Sequence, residues 1–232
     1  MALILFNEGG IVPAEQTLQS ILKGTPNNYR ALALMGRVKT ARKDYKAAID
    51  YYRKSIAIVP LVDSVAALGD LFLLTGQIEE AEKQFALVDT IDKLNKANGV
   101  KGGWQRALFL ADHDRELPEA LKEAQDEYAT RKNVYAADTL AWCLFKSGRP
   151  QEAADMIQKA LKYNTPEALF SFHAGMIYAK LNDRRTASLC LGRALSMNGS
   201  FHPTYVQVAA DTLKQLGSGT TTVGLAASPG AP

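Results

Sequence analysis

Few residues in this chain could do chemistry, and they stand apart. His113 lies in Ala111-Asp112-His113-Asp114-Arg115-Glu116, beside three carboxylates. That pattern could serve acid–base catalysis or hold a cation. The same stretch reads as a turn between two helices, where charges are solvated and need no further reason. His173 follows Phe172 on a helical segment, and His202 precedes Pro203 in a loop. The two cysteines, Cys143 and Cys190, fall at apolar helical positions and read as buried thiols. Two are too few for a disulfide framework or a CxxC zinc site. No phosphate-binding glycine loop and no HExxH pair occurs. The expectation is a non-catalytic protein without metal or cofactor.

Composition narrows the class. The chain has 232 residues, 47% hydrophobic and 22% charged, which fits a globular protein with a large core. Its 27 Lys and Arg against 24 Asp and Glu give a net charge of +3, too balanced for electrostatic capture of nucleic acid. No apolar run approaches the roughly 20 residues of a membrane span. The run Ala2-Leu3-Ile4-Leu5-Phe6 is too short for a signal peptide and has no basic residues before it. It reads as the tail of a helix cut short at a truncated front, and the compartment stays open.

The elements that must position these residues repeat. Ala48, Ala81, Ala120, Ala153 and Ala187 are spaced by 33, 39, 33 and 34 residues. Twelve residues before each stands Gly36, Gly69, Leu108, Ala141 or Gly175, four of them small enough to let two helices approach closely. Between the markers lie turns such as Thr75-Gly76-Gln77 and Ser147-Gly148-Arg149, with glycine where a helix ends. Pro118 and Pro150 stand where the next helix begins. Apolar residues recur at helical spacing on both sides, so each unit predicts a helix, a tight turn and a second helix. The one longer interval marks an insertion of about six residues at 91–103, which reads as a helix overrun and a flexible loop, with a partner-binding loop as the alternative.

Leu32, Gly36, Ala48, Tyr52 and Pro60 make the pattern of the tetratricopeptide repeat family, which the chain resembles in five phased units. The third unit departs most: Leu108 stands for the small residue and Ala124 for the aromatic. The resemblance implies an all-α, right-handed solenoid of helix-turn-helix repeats. Residues 1–28 are expected to be a partial repeat with its second helix at 11–24. Five repeats follow over 29–201, starting near 29, 62, 101, 134 and 168. A C-terminal cap helix spans 202–217, with an apolar stripe of Val206, Ala209, Leu213 and Leu216. The uncharged, Gly/Ser/Thr/Ala/Pro-rich segment 218–232 reads as a disordered tail. The phrase Tyr135-Ala136-Ala137-Asp138-Thr139-Leu140-Ala141-Trp142 is similar to bacterial repeat proteins and implies a bacterial origin.

The resemblance also implies a concave groove lined by the first helices, used to bind a protein or peptide partner. Its family positions fall on Arg37, Arg106, Phe109, Tyr135, Trp142, Phe145, Phe172 and Met176. These are charged at the front and aromatic or apolar behind, with Trp142 the foremost expected anchor. Clustered aromatics and Met suit capture of a peptide or helix. The alternative is that they cover one another or are covered by other parts of the chain. The protein would then be an assembly subunit acting through its ends and convex face. Self-association through the N-terminal end is a further expectation. The family's co-chaperone carboxylate clamp is not expected: its positions fall on Ala33, Arg37, Ala67, Gly102 and Arg106, of which only the last matches.

Overall fold

The computed structural model describes residues 1–100 and 103–218; Lys101, Gly102 and nearly all of the expected tail lie outside the described residues. Among the described residues there are thirteen helices and no strand. They divide into two compact units at Gly102/Gly103. The first holds α1 (Ala2–Asn7), α2 (Ile11–Gly24), α3 (Tyr29–Ala41), α4 (Tyr45–Ile58), α5 (Val62–Leu74) and α6 (Ile78–Ala97). The second holds α7 (Trp104–Asp112), α8 (Leu117–Thr130), α9 (Val134–Lys146), α10 (Pro150–Leu161), α11 (Ala168–Lys180), α12 (Arg184–Met197) and α13 (Tyr205–Ser218).

The same backbone closure ends every odd-numbered helix from α1 to α11. In α3, Asp44 N–H donates to the Lys39 carbonyl at 2.9 Å and Lys43 N–H to Thr40 at 2.9 Å. The pair is repeated by Gly10/Gly9, Gln77/Gly76, Arg115/Asp114, Arg149/Gly148 and Asp183/Asn182. This is the double closure that satisfies orphan carbonyls at a helix end, and it needs one left-handed residue. Glycine supplies it at Gly9, Gly76 and Gly148, while Lys43, Asp114 and Asn182 adopt φ of 60°, 52° and 61°. A lysine there carries the steric penalty of its Cβ. Lys43→Gly is therefore expected to raise stability by about 1 kcal/mol, read as a higher denaturation midpoint. An unchanged or lower midpoint would count against the closure.

Each turn leads into a second helix that packs on the first, and one crossing recurs. A Cβ built on Gly36 would lie 3.0 Å from the Tyr52 ring, on Gly69 2.3 Å from Phe85, and on Gly175 2.5 Å from Leu191. Large meets small sixteen residues apart in each pair. The same spacing joins Ala141 with Ile157, both fully buried. At the equivalent positions of the third repeat the order of small and large is reversed: half-buried Leu108 stands on the first helix and buried Ala124 on the second, so the summed volume is kept while the bulk changes helix. Ala124→Phe alone should overpack this crossing by about 1–3 kcal/mol. Leu108→Gly with Ala124→Phe should recover most of that loss, because contacting sites couple. Thermal unfolding of the two single variants and the double checks it; simple additivity would refute the exchange.

Two features of the first unit fill out the sequence expectation. The front apolar run is a helix of its own: Phe6 is buried against Ala14, Leu18, Met35 and Val38, so α2 has a first-helix partner, though a short one. Glu15 on α2 fixes α3 through Lys39 Nζ at 2.6 Å and through Arg42. The Lys39 hydrogen bond holds its carboxyl below the usual glutamate range, against the opposing effect of burial. The other feature is the insertion, most of which is helix: α6 has 20 residues where α4 has 14.

Candidate functional site

The residues expected to line an open groove lie on α3, α7, α9 and α11, the first helices of their pairs. In the first unit, Arg37 is half-buried with its guanidinium 4.7 Å above the Phe6 ring. In the second unit, Arg106, Phe109, Trp142, Phe145, Phe172 and Met176 are all at most 6% exposed. Tyr135 is the exception at 36%, stacked on Trp104 and edge-on to Phe170. The expected open aromatic floor is thus covered, and the cover is the protein's own.

Charge explains Arg106. Its guanidinium lies 2.7 Å from Glu123, 3.3 Å from Glu119 and 3.5 Å from Glu116, all on or at the start of α8. A carboxylate clamp would need this cation free for a ligand. Gly102, another clamp position, lies outside the described residues.

The hydrophobic residues explain themselves in layers. Trp142 stacks on Phe145 at 5.0 Å and on His173 at 4.1 Å, and meets Phe172 at 5.9 Å. Over them lies the segment leading into α13. Asn198 caps the loop by accepting from Ser200 N–H at 2.9 Å, and Phe201 turns in to pack on Phe172 at 5.7 Å. Pro203 cannot extend a helix backward, and His202 Nδ1 accepts from the N–H groups of Thr204 and Tyr205, both at 3.3 Å, which starts α13. Tyr205 then stacks on Phe172 at 4.6 Å and on His202 at 4.1 Å, and meets Trp142 edge-on at 6.2 Å. Further along α13, Thr212 reaches Met176 Sδ at 3.9 Å. The buried stripe of α13 is Ala209, Thr212 and Leu216, so it passes through a threonine, while Val206 and Leu213 are half-buried.

Two polar links run through this cluster. Asp112, last residue of α7, accepts from Trp142 Nε1–H and from the Tyr205 hydroxyl on the same oxygen, both at 2.7 Å. Asp138 on α9 faces His173 on α11, with both carboxylate oxygens 3.0 Å from Nδ1. Burial pushes the Asp138 carboxyl above the usual aspartate range, although the imidazole pulls it down. His173 Nε2 is buried without a hydrogen-bond partner. Burial likewise raises the Cys143 thiol far above its ordinary value, so it is inert at neutral pH.

The acidic stretch around His113 does not converge. Asp112 faces Trp142 and Tyr205, Asp114 pairs with Lys146 at 2.7 Å, and His113 Nδ1 lies 2.8 Å from the Phe109 carbonyl. The sequence reading missed Phe201 and Tyr205. Their signal was two aromatics in an otherwise polar connector, Ser200-Phe201-His202-Pro203-Thr204-Tyr205.

Comparison with known proteins agrees with this architecture. Tetratricopeptide repeat family models match residues 29–60 and 139–201. A tetratricopeptide repeat protein from Parabacteroides merdae aligns with a TM-score of 0.56 at 18% identity, over 93% of this chain and 81% of that one. The Cut9–Hcn1 complex of the APC/C aligns at 0.52 and 16% identity, over 87% of this chain and 46% of that one. Both show a shared fold. A curated relative, the RNA polymerase-associated protein CTR9 of Caenorhabditis elegans, is 25% identical over 76% of this chain and 19% of its own length. The chain therefore spans about a fifth of that protein.

Proposed function

Because the chain is a tetratricopeptide repeat protein, we propose that it is a non-catalytic scaffold that binds a segment of a partner protein on the concave face of its second unit. One observation carries the reading: that face already accommodates a peptide segment, residues 201–205, through stacked rings and a half-buried carboxylate. A surface that binds its own chain in this way has the aromatic anchors of a peptide site. In this reading Trp142, Phe145, Phe172 and Met176 form the floor and Tyr135 the accessible edge. Arg106 supports the wall through α8, Phe109 packs behind it, and Arg37 contributes only to the first unit.

A second reading has support from the same burial. With its groove filled, the protein would work as an assembly subunit through second-helix surfaces such as that of α12, where Leu189 is 66% exposed. Site-specific photo-crosslinking in the native host separates the two. A crosslinker at position 135 should capture a partner protein, and one at position 189 should not. Capture at 189 alone supports the assembly reading. Capture at neither position refutes a scaffold working through either surface.

A further inference from the structure

We infer that the second unit contains a tyrosine-recognition pocket, formed by Phe172, Trp142 and Asp112, that is held shut by its own Tyr205 and opens to a partner segment carrying tyrosine. The inference rests on the scaffold reading and names its ligand.

The first argument is topological. Stacked repeats contact their nearest neighbours, and a terminal helix needs only the last pair to cover it. The body of α13 meets that need through Ala209, Thr212 and Leu216, which are buried where α13 packs on α11 and α12. Tyr205 does something more. Its hydroxyl reaches Asp112 on α7, 93 residues earlier and three helix pairs back. Capping does not require that contact.

The second argument is chemical. The pocket reads a phenol in both of its parts. The ring is stacked by Phe172 and met edge-on by Trp142, which any aromatic side chain would satisfy. The hydroxyl donates at 2.7 Å to a carboxylate oxygen that also receives the Trp142 indole N–H. A phenylalanine would leave that acceptor with one donor fewer, and hydrogen bonds to charged groups are the strong ones. Asp112 thereby distinguishes tyrosine from phenylalanine.

The third argument concerns release. The segment is tethered at both ends, by α12 and α13, and its loop residues Pro203 and Thr204 are exposed. It competes as an intramolecular ligand at an effective concentration on the order of millimolar. A free peptide of the same sequence should therefore fail against the intact protein and succeed once the tethered tyrosine is removed.

The probe is the synthetic peptide of residues 198–206, Asn-Gly-Ser-Phe-His-Pro-Thr-Tyr-Val, with a second peptide in which phenylalanine replaces the tyrosine. The protein carries Trp104→Phe, so that Trp142 is the sole indole reporter. In the Tyr205→Ala variant, acrylamide should quench Trp142 more strongly than in the parent. The tyrosine peptide should bind and restore the shielding, and the phenylalanine peptide should bind about tenfold more weakly. The parent should bind neither below millimolar concentration. If Tyr205→Ala loses helical signal, Tyr205→Phe decides. It keeps the ring, weakens the tether, and should accept the tyrosine peptide about tenfold better than the parent. Unchanged shielding of Trp142 in a folded variant, equal binding of the two peptides, or no binding at all overturns the pocket. Those results leave the scaffold reading standing, because crosslinking at positions 135 and 189 tests it separately.

Discussion

Trp142→Ala is expected to destabilise the second unit by about 3–5 kcal/mol, the range for removing a large aromatic from a core. The side chain is 2% exposed, and its ring lies against Phe145, Phe172, His173 and Tyr205. Truncation opens a cavity that four other rings cannot close without leaving their own contacts. It also removes one of the two donors to Asp112. Denaturant unfolding followed by circular dichroism measures the effect. A loss below about 1 kcal/mol, the level of an exposed substitution, would mean that the ring is not packed as described. Trp142→Phe should be milder, since it keeps an aromatic ring and loses mainly the indole hydrogen bond.

The second large effect should come from Asp138. It is 2% exposed and faces His173, which is fully buried. In Asp138→Ala the imidazole loses the partner of Nδ1, while Nε2 has none already. Stranding a buried polar group in this way costs up to about 3 kcal/mol. Asp138→Asn should cost far less, because its amide oxygen still accepts from Nδ1. The two variants also separate the charge from the hydrogen bond. Burial raises the Asp138 carboxyl above its unfolded value, so ionisation is less favourable in the folded protein. Stability contributed by this group is therefore fully present below the ordinary aspartate range and is lost as pH rises through the elevated value. Asp138→Asn should abolish that part of the pH profile. Equal losses from Ala and Asn across the profile would contradict the pairing with His173.

These residues show how far the sequence could be read. Helix pairs were legible because glycine at a helix end and a small residue against a large one are local signals that recur in phase. Gly69 with Phe85 and Gly175 with Leu191 announce a close crossing in one dimension. The candidate site was legible only as an inventory. Family positions select Trp142, Phe172 and Met176, and the structure brings these into one aromatic cluster with α13. Whether such a floor is open depends on contacts far apart in sequence, and Tyr205 with Asp112 has no periodic signature. Asp138 and His173 were each visible, but 35 residues separate them and nothing local ties one to the other. The front run reads as the tail of a helix, but what holds it is not legible: six residues are too few to show helical periodicity, yet they suffice once Phe6 finds a core.

The reversed crossing at Leu108 and Ala124 has a consequence for the history of the chain. No single substitution converts a small–large pair into a large–small pair. Every path passes through an ancestor that either clashes at that crossing or is hollow there. The hollow ancestor is the more passable route, since neighbouring side chains can lean into a gap, whereas overlapping atoms must displace backbone. Duplication of a glycine-type repeat would thus have produced the third repeat by shrinking the aromatic first and enlarging the glycine afterwards. Homologues caught between the two steps should carry two small residues at this crossing and seldom two large ones. A repeat transplanted across that boundary must bring both members of its pair.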